Sequence, residues 1–515
     1  DEVNALKEIE IALSLNPDNG FALYEMVILK YNAYHSLMNK LTNQWLEQEM
    51  VRRLSASGEI ITQEYKEPSY EQLENSQAVE LKASIMKSFR AALKKLQKGT
   101  AVYLTVESFL AEQNEEAIKK LQEALEKDPY FDDAIGLLAD IYNKMDNDDA
   151  ALKLLSDALR VDRGNISFYA RRARIYDAIE KRKTGWSVSE KGAEDWNVIL
   201  HLHPDNLEAL NAMAVFVYIQ GVHKISNGFD PTDDFKKADN MYQKIVEIDP
   251  QNAGPYTGRG EMAWHYGNYL TKIGKDPTEN YQNAVNNFKK AYEIDATQVE
   301  ILYQMARVHW SFGDYKMSKG KNPIPEYAKG IEHCTDAMKI KADDHRFWEI
   351  RAILWVFSAK YKMEKQTDPS DDFANALADS RNALEIAPDN LSALMVRVNV
   401  CTERAGWKKA MGSFPIKEYS QAEEDISAAL EKVIQAATRC VYYQRRGLFR
   451  ANLGDIFVQT RDYSKSVRKY TEAIEDYEEA IRLNPLLKNQ LTSSIEQLKE
   501  EIEKVRKKQK KPSDK

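Results

Sequence analysis

The side chains of this sequence that could do chemistry are its eight histidines, its three cysteines and a few adjacent carboxylate pairs. Their spacing decides which chemistry is open to them. His35, His201, His203, His223, His265, His309, His333 and His345 form no His-Glu-x-x-His pair, and none joins a cysteine at zinc-ligand spacing. His333 and Cys334 are adjacent, but on a helix their side chains point about 100° apart. Lone histidines of this kind are expected to be packing or surface residues. Cys334, Cys401 and Cys440 make neither a disulfide framework nor a metal motif, and are expected to be small buried residues in a reducing compartment. Asp233–Asp234 and Asp371–Asp372 have the composition of a catalytic dyad. Each pair follows a proline that opens a helix, however, where two carboxylates complement the helix dipole. The chain also lacks a Gly-x-Ser-x-Gly elbow and a Walker loop. The expectation is a protein with no catalytic residue, no metal and no cofactor: not an enzyme.

The elements that carry these residues are set by length, charge and periodicity. At 515 residues the chain is too long for one core and calls for several domains or one repeat array. It is 43% hydrophobic and 30% charged, which excludes wholesale disorder. With 72 Lys+Arg against 80 Asp+Glu its net charge is −8, the wrong sign for a general nucleic-acid coat. No run of apolar residues is long enough for a membrane span, and no signal peptide is visible. A cytoplasmic location is expected. Because the sequence opens on Asp1 rather than Met, it reads as a processed product or a piece of a longer chain.

Helical stretches stop at Pro17, Pro129, Pro204, Pro250, Pro388 and Pro485, with Arg163 ending another such stretch. Twelve residues before each junction stands Ala5, Ala117, Ala151, Gly192, Ala238, Ala284, Gly330, Ala376, Ala422 or Ala473. Seven residues further on stand Ala12, Ala124, Ala158, Ile199, Ile245, Ala291, Ala337, Ala383, Ala429 and Ala480. Seven residues are two helical turns, so both columns share a face that lets another helix approach closely. A second regularity is superimposed. Pro231, Pro277, Pro323, Pro369 and Pro415 recur every 46 residues, each followed four residues later by Phe235, Tyr281, Tyr327, Phe373 or Tyr419. Ten residues before each proline is Gly221, Gly267, Gly313, Ala359 or Ala405, and two beyond that is His223, Tyr269, Tyr315, Tyr361 or Trp407. Twelve residues added to a 34-residue unit would lengthen its first helix by up to about three turns. The glycine of each Gly-x-Asp-Pro string would end that helix at positive φ, and Asp-Pro would start the next. Each long hairpin is expected to be closed by the aromatic pair.

The 34-residue helix-turn-helix unit with two small positions and a closing proline resembles the tetratricopeptide repeat. The first helix of that family places a large residue four positions before a small one, as in Tyr169/Ala173, Tyr256/Gly260, Leu302/Ala306, Trp348/Ala352 and Tyr443/Gly447. The resemblance covers roughly residues 1–20 and 110–486. The Gly-x-Asp-Pro variant resembles the arrays that follow the kinase domain in some bacterial serine/threonine kinases, although no kinase motif is present here. It implies an all-α, right-handed superhelical solenoid of helix hairpins. The expected organisation is 1–113, irregular long helices with a partial unit; 114–204, near-standard units; and 205–435, five 46-residue units. A last unit follows over 436–486, then a capping helix and basic tail over 487–515.

In this family the first helix of each hairpin lines the inner groove. Tyr218, Trp264 and Trp310 recur there at 46-residue spacing, with Arg171, Arg174 and Arg307 at or near inward positions. Such an aromatic ladder beside arginines suits an extended peptide, since these are the usual hot-spot types; packing between repeats would produce the same recurrence. The chaperone-binding members hold a terminal carboxylate with Lys and Asn four apart. The corresponding pairs here, Ala170/Arg174, Asn211/Val215, Thr257/Glu261, Tyr303/Arg307 and Glu349/Ile353, do not match. The resemblance thus implies a scaffold or adaptor with a protein or peptide partner and no nucleic acid. A regulatory region of a larger enzyme, or a subunit of an obligate assembly or oligomer, are the alternatives.

Overall fold

A helix with alanine or glycine two turns apart can take a neighbouring backbone at close range, and a proline shortly afterwards stops it. The computed structural model is built from hairpins of that kind. It describes residues 92–509 apart from 112, 186 and 187, together with Ala22, Glu25, Ile28, Lys87 and Arg90. Most of the irregular segment expected over 1–113, and the tail from Lys510, lie outside the described residues. Within the described residues there are nineteen α-helices and no strand, and no helix long and apolar enough to cross a membrane.

The described residues divide into two compact units, one ending at Pro255 and the other running from Tyr256. The first holds four hairpins: α1 (Ala101–Ser108) with α2 (Asn114–Lys127), α3 (Asp132–Lys144) with α4 (Asp148–Val161), α5 (Ile166–Thr184) with α6 (Glu190–Leu202), and α7 (Leu207–Ser226) with α8 (Thr232–Ile248). Helix α9 (Ala253–Lys272) begins at the division and pairs with α10 (Thr278–Ile294). In the second unit α11 (Val299–Ser318) and α12 (Ile324–Ile340), α13 (His345–Glu364) and α14 (Ser370–Ile386), and α15 (Leu391–Ala410) and α16 (Ile416–Lys432) follow. The longest pair, α17 (Ala436–Gln459) and α18 (Tyr463–Leu483), leads through a short 3₁₀ turn to α19 (Lys488–Gln509). Helix α19 lays Leu491, Ile495, Leu498, Ile502 and Val505 against the last hairpin.

The twelve extra residues of the 46-residue units are shared out. Helices α3 and α4 have 13 and 14 residues, whereas the five pairs from α7/α8 to α15/α16 each have 20 and 17. The first helix therefore gains seven residues, about two turns rather than three, the second gains three, and the loop takes the remaining two. Gly228, Gly274, Gly320 and Gly412 end their helices at φ between 67° and 79°, and Gln366 takes the same place at φ 56°. Asp230, Asp276, Asn322 and Asp368 then accept a hydrogen bond from the amide two residues on, at 2.9–3.1 Å.

In α11/α12, α13/α14 and α15/α16 the ring after the proline meets a ring of the following hairpin instead of the expected one: Tyr327 lies 6.1 Å from Phe357, Phe373 5.7 Å from Trp407 and Tyr419 6.0 Å from Phe449. Where the small residue is glycine, the ring after the proline packs against that glycine itself. A Cβ built on Gly221, Gly267 or Gly313 would stand 2.4, 2.8 or 2.2 Å from Phe235, Tyr281 or Tyr327. A glycine at that position admits the aromatic directly onto the helix backbone. What closes the hairpins beside it is charge. Lys224–Asp234, Lys316–Glu326, Lys362–Asp372 and Lys408–Glu418 meet at 2.6–2.8 Å. At the one long unit without this ion pair, α9/α10, the same positions are Leu270 and Asn280.

A second ionic device runs through the core. Arg172, Arg351, Arg397 and Arg446, on first helices, each grip one aspartate on the second helix of the same hairpin with Nε and Nη2. The partners Asp195, Asp379, Asp425 and Asp476 lie at 2.6–3.2 Å. All four aspartates are at most 4% exposed. In three cases Nη1 also reaches back to a hydroxyl on the previous hairpin: Ser156, Thr335 and Ser427, at 3.0–3.1 Å. Where arginine is absent, so is aspartate, giving Met213 with Met241 and Met305 with His333, whereas α9/α10 keeps Arg259 opposite Asn287.

Two outcomes are expected. Burial alone would raise the Glu326 carboxyl, but hydrogen bonds from His309 and Lys316 outweigh it and draw it from 4.5 down to about 2. Its folded-state value lies below the unfolded one, so its stabilisation is complete above pH 4.5 and is lost as pH falls towards 2. Glu326→Gln should lose about 3 kcal/mol at neutral pH and flatten the acid limb of a denaturation-versus-pH curve. Arg351→Met should cost about 3–5 kcal/mol by stranding Asp379. Adding Asp379→His, which recreates the Met305/His333 combination, should recover at least half of that in chemical denaturation.

Candidate partner-binding face

Within the second unit the first helices of successive hairpins form one layer: α11 packs on α13, and α13 on α15. Side chains 46 residues apart stand in columns across it. One column holds Glu300, Arg346 and Ser392, the next Tyr303, Glu349 and Met395, and the next Arg307, Ile353 and Asn399.

Rings and guanidinium groups alternate along this face. The Arg307 guanidinium lies 4.3 Å over the Trp264 ring and 5.7 Å from that of Tyr303, and Arg346 lies 5.2 Å from Tyr303. Trp264 is fixed from behind, since its indole N–H donates to Ser311 Oγ at 3.0 Å and only 9% of it is exposed. Arg346 is clamped by both oxygens of Asp344, at 2.9 and 2.7 Å, and by Glu300 at 2.9 Å. Ser392 donates to Glu349 at 2.6 Å. Burial raises the carboxyl groups of Glu300 and Glu349 and pushes the Tyr303 phenol up to about 12. Arg307 differs from its neighbours: it donates to Gln304 at 3.1 Å, and no carboxylate among the described residues lies within ion-pair distance. Burial, with the Arg307 charge added, draws the adjacent His265 down to about 4, so that it is neutral at physiological pH.

Of the residues singled out in the sequence, Trp264 and Arg307 are thus in direct contact. Trp310, one turn further along α11, stands edge-on to Phe357 at 5.7 Å. Its buried indole N–H has no hydrogen-bond partner among the described residues. The ring borders a cleft of about 250 Å³ shared with Asn268, Thr271, Tyr281, Ser311 and Asp314. The other three residues lie in the first unit. Arg171 bonds Asp140 and, at 3.3 Å, the Gly136 carbonyl on α3. Arg174 grips both oxygens of Glu208 on α7 at 2.7 and 2.6 Å. Tyr218 lies 6.0 Å from Phe235 within its own hairpin. Sequence reasoning passed over Tyr303, Arg346, Glu300 and Glu349, because their columns change residue type from unit to unit. The constant 46-residue offset would have found them. It also passed over Val441 and Leu448, half-exposed apolar residues seven apart on α17.

His309, His333, His345 and the three cysteines are absorbed into packing, whereas His201, His203 and His223 are exposed. His309 Nδ1 lies 2.8 Å from Glu326 and its ring stacks on His333 at 5.4 Å. Burial, followed by the charge of His309, draws His333 down to about 4. The thiol of Cys401 is pushed up to about 12 by burial, and that of Cys334 is raised for the same reason. Among the described residues no three His, Cys, Asp or Glu side chains are grouped to hold a metal ion.

Residues 108–175 and 462–485 match family models described as tetratricopeptide repeat. No curated protein matches the chain in sequence. Among solved structures, a tetratricopeptide repeat protein from Parabacteroides merdae aligns at 16% identity and TM-score 0.35, over 57% of this chain and 98% of that one. Yeast Tom70 aligns at 14% identity and TM-score 0.34, over 99% and 86%. The C-terminal part of a repeat protein from Cytophaga hutchinsonii aligns at 15% and 0.39, over 57% and 97%. Likeness at this level assigns no partner to the chain. Residues 108–175 and 462–485 are thus tetratricopeptide repeats, and helix hairpins with the same small-residue columns continue between them.

Proposed function

We propose that the chain is a non-catalytic scaffold that binds a peptide or a partner's helix on the layer formed by the first helices of its hairpins. Arginine 307 carries the reading: Arg307 is a guanidinium held in place by Trp264 and Tyr303, with no carboxylate partner among the described residues. A charge fixed on an aromatic platform before binding loses little freedom when it meets a partner's carboxylate or carbonyl. Tryptophan, tyrosine and arginine are also the types that dominate binding energy. Val441 and Leu448 on α17 extend the surface with apolar contact. Arg171, Arg174 and Tyr218 are the candidates on the first unit, where Arg174 is half exposed despite its ion pair.

The test uses a partner recovered with the wild-type chain and then purified. Arg307→Gln and Leu448→Glu, each with unchanged helicity, should weaken its binding at least tenfold, which is about 1.4 kcal/mol. Ile340→Glu, at the end of a second helix, should leave it intact. Equal affinity of all three variants would move the interface off this face.

A further inference from the structure

The Arg–Asp grip of the core exists in four copies, and one of them is incomplete. At α5, α13 and α17 the arginine's Nη1 donates to a hydroxyl on the second helix of the preceding hairpin: Ser156, Thr335 and Ser427. Each hydroxyl stands five residues after the small residue of its helix, Ala151, Gly330 or Ala422. At α15 the grip of Arg397 on Asp425 is the same, at 2.9 and 2.6 Å. The corresponding position five residues after Ala376, however, is Arg381. Arg397 Nη1 has no acceptor among the described residues, and neither has Arg381 any acceptor or carboxylate partner among them. Instead of a hydroxyl there is a cleft of about 420 Å³, lined by Arg381, Leu384, Glu385, Pro388, Leu394 and Arg397.

We propose that this cleft between α14 and α15 binds an oxyanion, either inorganic phosphate or the phosphate group of a small ester. The ligand's oxygens would take the place that the hydroxyl fills in the sister sites, accepting from Arg397 Nη1 and from Arg381. Arg397 is already aimed, because Asp425 fixes its other edge and Asp425 is 1% exposed. Two guanidinium groups converging on one space favour an anion over a neutral acceptor, and planar forked donors match phosphate oxygens. Leu384, Pro388 and Leu394 give the cleft an apolar wall that a phosphate alone would leave uncovered and an ester carbon would touch. Glu385 supplies the opposing charge, at the exposed rim. The site is separate from the partner-binding face and stands or falls independently of it.

The test titrates inorganic phosphate, and separately O-phosphoserine, into the full chain at constant ionic strength, with chloride as the control anion. Calorimetry reads affinity and thermal unfolding reads stabilisation. Saturable phosphate binding with a rise in Tm over chloride is expected. Arg381→Ser should weaken it by about tenfold or more, the loss of one charge-assisted bond. The same variant should raise the Tm in chloride, because its serine supplies the missing hydroxyl. Glu385→Gln should tighten binding. Tighter binding of O-phosphoserine than of phosphate would identify a phosphate ester as the occupant, and equal binding the free ion. Indistinguishable phosphate and chloride responses of the wild type would overturn the site. So would an Arg381→Ser variant that folds and binds phosphate as tightly as the wild type.

Discussion

Everything in these hairpins depends on how near two helix backbones can come. Where Gly221, Gly267 and Gly313 remove a side chain, an aromatic ring of the facing helix rests on the main chain. Gly260, Gly330 and Gly447 receive Phe288, Leu354 and Tyr477 in the same manner. The buried alanines of the second helices, such as Ala238, Ala284, Ala376 and Ala422, keep the opposite contact equally thin. Repeat proteins have no central core, so the contact between neighbouring elements is where apolar burial and dispersion must be gained. A single bulky residue in these columns would hold a pair of helices apart along its whole length.

Close approach alone does not choose a register, and buried charge supplies what apolar contact lacks. An Arg–Asp pair gripped through two parallel bonds is satisfied in one arrangement only, and a misplaced helix would leave both charges desolvated. The lysine–carboxylate pairs act likewise at the open end of each long hairpin. The two devices are separately dispensable. Helix pair α11/α12 keeps Lys316–Glu326 but has Met305 and His333 in place of arginine and aspartate. There both charges are gone at once, while α9/α10 keeps Arg259 and replaces the buried carboxylate by the neutral acceptor Asn287.

The fold was legible because it is written in residue size, which sequence shows directly. Alanine and glycine at fixed intervals, proline at helix ends and glycine before Asp-Pro each have one physical reading, and positive φ at Gly228, Gly274, Gly320 and Gly412 follows from it. The closure of the hairpins was less legible. Tyr269, Tyr315 and Tyr361 advertise stacking by type, whereas the contact that forms depends on which atom of the helix lies beneath the ring. The site was legible only in part for a related reason. Trp264 and Arg307 stand out by type, but Arg346, Glu300 and Tyr303 join them through contacts between helices more than 35 residues apart. Local pattern does not report such contacts. The divergent member of a repeated set, Arg381 among Ser156, Thr335 and Ser427, becomes visible only when the columns are aligned on a shared geometry.

The seven residues added to each first helix have a geometric consequence of their own. At 1.5 Å per residue they lengthen it by about 10 Å, roughly the diameter of one α-helix. The number of repeats along the array is unaffected, so the added surface lies across the stack. Each long hairpin therefore presents a first helix about one helix diameter longer than that of the α3/α4 pair of the same chain.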